Sequence, residues 1–289
     1  MGFWLELAAS GLITGGIYAV VAIGLNLQYG LMRIMNISHG EFLMLGAYLT
    51  WLAHTTLKIN PILLLPVVAI AMFLLGVVVY RLCFRRIARA APTVEVIEAR
   101  SLLVGFGLMF LVQNTVNLIW GADLRGYSFM AEPVDIGGAR FMANRLLVFG
   151  FAVAASLGLL ALLRWTMIGK AVRAMMQSPT GAQLVGVDTG TLHPVVFGAG
   201  LALAGVAGGL LSMVYEISPS MGEPYTVTAL IVITLGGLGS AIGSLLGGFL
   251  LGLVEAFGMH FTNPSLKMVL SYGVLVAVLV ARPKGLFAR

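Results

Sequence analysis

The chain has 289 residues, of which 60% are hydrophobic and 10% charged, with 37 glycines and a formal net charge of +6. A soluble domain carries about 25% charged residues, so a water-soluble globular fold is excluded and an all-α, polytopic transmembrane helical bundle is expected, its glycines letting helices approach closely in lipid. The basic residues lie in short clusters between apolar runs rather than on one broad face open to phosphates, which excludes a nucleic-acid binder.

The N-terminal stretch MGFWLELAASG carries Glu6 where a cleaved leader would carry basic residues, so it reads as the start of a retained span. A crossing needs about 20 residues. The first candidate, residues 5–29, contains GLITGG with Gly15, which thins or bends a helix and admits a neighbour. The next, residues 42–57, is short and is expected to borrow from the preceding NISHGE. Residues 62–80 follow Pro61, a suitable first-turn residue. The single cysteine, Cys83, permits no internal disulfide and reads as a membrane-edge thiol without a role. Further spans are expected over residues 102–120, 146–163, 195–215 and 268–280. The apolar run 227–257 is too long for one crossing and is split near 236–240 into a short half and a longer helix, an arrangement tolerated where protein covers the broken backbone.

Loop charges set the orientation. Arg81, Arg85, Arg86 and Arg89 place one loop in the cytoplasm; Arg164, Lys170 and Arg173 place a second there; Arg282, Lys284 and Arg289 do the same for the tail. The loop 121–144, where Asp123, Glu132 and Asp135 balance Arg125 and Arg140, reads as external, as does the loop with Glu216 and Glu223. The N-terminus is then outside and the number of crossings odd: about nine if every segment spans, with eight the rival if the first or the 227–257 region is re-entrant. Gly239, Gly243 and Gly247 recur every four residues, with Gly248 and Gly252 on a neighbouring face, a pattern for close helix packing or for a moving interface.

The segment GKAVRAMMQSPTGAQLVGVD, residues 169–188, is polar for so greasy a chain. Ala171, Val172, Ala174, Met175 and Met176 make a short apolar face beside Lys170 and Arg173; Pro179 ends it, and Ala182, Leu184 and Val185 form a second patch before Gly186. Physics alone leaves two readings: a knob docking in a partner's groove, or an amphipathic helix on the lipid surface.

Among polar residues near spans, Asn26 and Asn114 are pathway candidates, while Gln28, Gln113, Thr115 and Asn117 are expected to brace helices. In NISHGEF, Asn36, His39 and Glu41 form either a hydrogen-bonded turn or a gate; His39 and Glu41, two apart, do not share a helix face. Too few ligands surround them for a metal. Glu255, an acidic residue in a late apolar run, is a structural pair or a pathway group. The sequence has no GxxxxGK[ST] phosphate loop, and no nucleophile, base and orienter set; Ser220 and His260 read as loop polar groups.

Taken together, GLITGGIYAVVAIGLNLQYGLMRIMNISHGEFLMLGAY, the 169–188 segment, TALIVITLGGLGSAIGSLLGG and the tail ARPKGLF resemble the permeases of branched-chain amino acid ABC transporters, the Liv type. The resemblance covers nearly the whole chain and implies one transmembrane permease domain, residues 1–289, in a bacterial inner membrane. It implies a related second permease, two cytoplasmic P-loop ATPases that bind ATP and magnesium, and an external or periplasmic substrate-binding protein. The chain itself would hold no cofactor and do no covalent chemistry. Leucine, isoleucine or valine is the implied cargo, with urea, amides or another small solute as the alternative, and a stand-alone secondary transporter or channel, signalled by broken helices at GLITGG and LGGLGS, as the reading from another class. The resemblance favours ATPase coupling for residues 169–188, through Gly169, Lys170, Arg173, Ala174, Met175, Ala182, Leu184 and Gly186, although SPTGA departs from the acidic residue and alanine common near Thr180 and Gly181.

Overall fold

The computed structural model describes residues 2–90, 93–136, 139–283 and 285–287. Apolar runs of helical length fold as α1 (Gly2–Met32), α2 (His39–Leu57), α3 (Pro61–Val79) continued by a π-helical turn (Tyr80–Phe84) and α4 (Arg85–Ala90), α5 (Val94–Trp120), α6 (Ala143–Trp165), α7 (Met167–Gln177), α8 (Pro179–Leu184), α9 (Thr189–Ser212), α10 (Gly222–Gly236), α11 (Ala241–Phe261) and α12 (Lys267–Ala281). Between α5 and α6 a short hairpin, β1 (Pro133–Ile136) and β2 (Ala139–Met142), pairs antiparallel with Asp135 opposite Arg140. The all-α membrane architecture expected from composition is therefore present. Among the described residues six helices are long and apolar enough to span a bilayer: α1, the continuous α3–α4 stretch, α5, α6, α9 and α11.

The helices form two layers. In their most apolar windows α1 is 67% buried and α9 72%, whereas α5 and α6 are each 17% buried. A helix apolar on every side belongs in the middle, and one with a single covered face belongs at the rim. The inner helices touch through glycines. A Cβ on Gly15 would stand 2.7 Å from the Gly248 carbonyl oxygen, and one on Gly208 would collide with the Leu43 carbonyl. Backbones this close add dispersion contact where no hydrophobic driving force exists between helices. The small-residue pattern of α11 divides as its spacing suggests: Gly248 and Gly252 face α1, while Gly243 and Gly247 face α10. Gly239 does not belong to that stripe. It lies in the turn before α11 with φ +85°, a backbone region that favours glycine.

Three further expectations are corrected. GLITGG neither breaks nor interrupts α1, which runs unbroken through it; it does admit neighbours as expected, Gly11 and Gly15 meeting α11 and Gly16 meeting α6. The chain breaks on the far side of α1, where Arg33 (φ 54°) turns it out of the helix and residues 33–38 run without helix to His39. The second break is where the sequence put it, at 237–240, but α10 begins at Gly222, so Glu223 lies in its first turn rather than in an external loop. His260 is helical, in the last turn of α11 against Phe3 and Trp4.

Contacts fix the direction of each helix. α1 and α11 are antiparallel: Phe3 and Trp4 meet His260 at one end, and Asn26 meets Ser240 toward the other. The end with Phe3 also holds the hairpin, through the Arg140 amide donating to Glu6, and the loops with Arg125 and Glu216. The opposite end gathers Arg33, Arg81, Arg85, Arg86, Arg100, Arg164, Lys170, Arg173 and Arg282 against few acids, marking it cytoplasmic. The side chain of Arg89 and the residues Lys284 and Arg289 lie outside the described residues.

Candidate functional site

Half-way along the bundle two helix starts meet. His39 Nε2 lies 3.2 Å from the Val21 carbonyl oxygen, and Val21 is roughly 16 Å along α1 from its cytoplasmic end at 1.5 Å per residue. The segment after Arg33 thus climbs from the cytoplasmic end to mid-depth, and α2 carries the pass outward. On the other side the loop after α9 descends from the external end, and α10 carries that pass inward. Gly40 and Gly222 make the meeting possible. A Cβ on Gly40 would strike the Gly222 carbonyl, and the Gly40 amide donates to Thr226 Oγ1 at 2.8 Å.

The non-helical stretch is satisfied by its own Asn36 and Ser38 together with Gln28 of α1 and Ser101 of α5, which accepts from the Met35 amide. Asn36 donates to Gln28 Oε1 at 3.1 Å, Ser38 Oγ donates to Asn36 Oδ1 at 2.6 Å, and Gln28 Nε2 donates to the Phe197 carbonyl at 3.1 Å. Asn36 therefore sits in the hydrogen-bonded turn foreseen as one reading of NISHGEF. Glu41 does not take part. Its side chain is fully buried, both carboxylate oxygens lack a hydrogen-bond partner, and they lie against Gly222, the first residue of α10. His39 Nδ1 is also buried and unpartnered.

A second junction lies at the cytoplasmic end. Gly237 (φ +94°) and Gly239 turn the chain between α10 and α11, and Ser240 Oγ caps α11 by accepting from the Gly243 amide. Asn26, buried in α1, holds this turn on four sides: Oδ1 accepts from the Gly239 amide at 2.6 Å, and Nδ2 reaches Ser244 Oγ at 2.6 Å, the Ser240 carbonyl at 2.9 Å and the Gly237 carbonyl at 3.5 Å. The tail closes over the same place, with the Leu286 amide donating to the Leu235 carbonyl.

The 169–188 segment packs against that junction. Thr166 caps α7 by accepting from the Gly169 amide, and Gly169 fits under the Leu162 and Leu163 carbonyls, where any side chain would collide. Val172 and Met175 are buried, Ala174 is half-buried, and Met176 Cε rests against Gly30 and Gly239. The apolar face of α7 is thus not the exposed knob expected from sequence; the chain's own core covers it. Lys170 and Arg173 point outward, Arg173 donating to the Arg164 carbonyl. Ser178 caps α8, Ala182 is buried, and Gly186 turns with φ +90°. The outward apolar residues are Leu184 and Val185, 84% and 80% exposed.

Two other candidates stand apart. Glu255 is buried beside α12: Tyr18 Oη donates to it at 2.7 Å, Ser271 Oγ at 2.5 Å, and Lys267 Nζ lies 3.5 Å away. This matches the structural-pair reading. Asn114 is exposed on α5 and donates to its own helix, at the Phe110 carbonyl; it is not part of either junction. Sequence reasoning missed Gly40, Gly222, Glu223, Thr226 and the partners of Glu255. The pair Glu223-Pro224 was a usable signal, since an acidic residue and a proline open helices.

The family model described as the branched-chain amino acid transport system permease component matches residues 7–279. The high-affinity branched-chain amino acid transport system permease protein BraD of Pseudomonas aeruginosa is 30% identical over 99% of this chain and 96% of its own length. The permease protein LivH of Escherichia coli is 28% identical over 99% and 96%. The permease protein LivM of the same organism is 25% identical over 93% of this chain and 67% of its own length. No solved structure matches the chain. The chain belongs to the family of branched-chain amino acid transport permeases and is a multi-pass membrane protein.

Proposed function

We propose, from that family membership, that this chain is one permease subunit of an ATP-driven importer for leucine, isoleucine and valine in a bacterial inner membrane. A related second permease, of the kind the LivM likeness suggests, would form the other wall of the path. Two cytoplasmic ATPases would supply ATP hydrolysis and an external binding protein the cargo, so that this chain performs no covalent chemistry.

The observation that carries the coupling role is the seating of Met176 between Gly30 and Gly239. An ATPase engaging Leu184, Val185, Lys170 and Arg173 from the cytoplasm would push on α7. α7 bears directly on the end of α1 and on the α10–α11 turn held by Asn26. Motion of an outer partner would thereby reach α10, whose other end lies at mid-depth. Alternating access then needs a small rigid shift of α7 and α10 rather than a new fold.

The test is a Leu184→Asp, Val185→Asp double variant in the co-expressed complex. Loss of the ATPase subunits on purification, with the second permease retained, is the expected result. Full recovery of ATPase and of substrate-stimulated hydrolysis would remove α8 from the coupling surface. Arg173→Glu is expected to lower stimulated hydrolysis without loss of assembly.

A further inference from the structure

We propose that Glu41 and Glu223 form a cation site at mid-depth which receives the α-ammonium group of the amino acid in transit; this rests on the transport reading above. Glu41 supplies the first observation. It is fully buried, with neither carboxylate oxygen hydrogen-bonded, and it lies against the start of α10. A buried polar group without a partner is costly, and a buried charge far more so. The two helix N-termini that meet here offset part of that cost, because their partial positive charge favours a carboxylate.

Glu223 supplies the second. It stands one residue into α10 and close enough for its charge to act on Glu41, yet it is exposed on the side of the bundle. Thr226, on the next turn, binds the Gly40 amide, which fixes this level to the level of Val21. An exposed carboxylate at mid-depth is expensive against lipid tails, and such groups face a water-filled cavity or a protein neighbour. The face carrying Glu223 therefore looks onto the path between the two permeases, not onto lipid.

The pair has the shape of a cation site reached from one side. Glu223 is at the mouth and Glu41 is behind it, with Gly222 between them contributing no side chain. A primary ammonium has three donors. It could reach Glu223 from the path; the orphaned oxygens of Glu41 lie packed against Gly222 directly behind it, so a small parting of the α2–α10 contact would bring both carboxylates onto the ammonium. Discontinuous helices meeting at the midplane are the arrangement in which transporters hold a zwitterion. The first turn of α10, which begins at Gly222, offers helix N-terminal amides of the kind that suit the cargo's carboxylate.

The test uses the whole complex of two permeases and two ATPases in lipid nanodiscs, without binding protein. Binding of radiolabelled leucine is measured in competition with isoamylamine, which keeps the ammonium, and 4-methylpentanoate, which keeps the carboxylate. Isoamylamine is expected to displace leucine, with 4-methylpentanoate about tenfold weaker or worse, and Glu223→Gln is expected to weaken leucine about tenfold to a hundredfold, the range for a charge-assisted bond. Glu41→Gln, nearly isosteric, should act in the same direction, with assembly checked by recovery of the ATPases; Glu223, being exposed, gives a variant that keeps its fold. Equal competition by the two analogues, displacement by sodium or potassium as strong as by the amine, or unchanged binding in Glu223→Gln would overturn the proposal. Leucine uptake by the wild-type complex with its binding protein is assayed in parallel. Uptake with no effect of Glu223→Gln sinks the site alone, whereas no uptake at all sinks the transport reading and the site with it.

Discussion

Among the described residues two glutamates are buried in the bundle, and they are held in opposite ways. Glu255 has a phenol, a hydroxyl and an ammonium around its carboxylate, drawn from α1 and from α12 and its leading turn. Glu41 has no hydrogen-bond partner, lies against Gly222 and is close enough to Glu223 to feel its charge. The first ties three helices together at the external side. The second sits where the starts of α2 and α10 meet inside the bundle, close to a surface that another subunit would cover. A carboxylate in an apolar protein is informative through its partners more than its presence: a satisfied one reports assembly, and an orphaned one reports something that comes and goes.

The largest effect should come from the glycine seams that hold both regions. Gly208→Leu drives a side chain into the Leu43 carbonyl, and no folded complex is expected by size-exclusion chromatography. Gly150→Leu, at a glycine with nothing within 4 Å, should behave as wild type. Normal behaviour of Gly208→Leu would mean the α2–α9 seam is looser than described.

Glu255→Ala comes next. It strands Tyr18, Ser271 and Lys267, and a loss of about 2–4 kcal/mol is expected, somewhat below a fully buried pair because Lys267 is half-exposed. Thermal unfolding in detergent measures it. Glu41→Gln is expected to do the reverse and raise the unfolding temperature, since it removes an unpaired charge. A destabilised Glu41→Gln would erase the contrast between the two residues. Asn26→Leu should cost about 1–3 kcal/mol by leaving the Gly239 amide and neighbouring carbonyls unpaired. It is read as faster hydrogen exchange over residues 236–241. Smallest is Asn114→Leu, expected within about 0.5 kcal/mol and without effect on uptake, because its amide bonds only its own helix.

Much of the architecture was legible because membrane helices are written in length and hydropathy. The break at 237–240 was visible as a run of small residues too long for one pass. The start of α2 was foreshadowed by the need of residues 42–57 to borrow from NISHGE. What stayed hidden was pairing between distant segments. Glu255 is unusual in its own helix, but Lys267 and Ser271 explain it only once α12 folds back. Glu223 looked like a loop acid because its helix was begun five residues too late. For α7, periodicity identified an apolar face correctly, yet could not say whether that face met a partner or the chain's own core. Within residues 169–188 the strongly exposed large apolar side chains are Leu184 and Val185, beyond the periodic stretch.

The most direct measurement is leucine taken up per ATP hydrolysed, in proteoliposomes of the full complex with its binding protein, comparing Glu223→Gln with Glu255→Gln. Glu223→Gln is expected to lower the ratio about tenfold while stimulated hydrolysis persists, and Glu255→Gln to lower the amount of stable complex but leave the ratio unchanged. A wild-type ratio in Glu223→Gln, or a collapsed ratio in Glu255→Gln, would contradict the division between a site that meets cargo and a site that holds the fold.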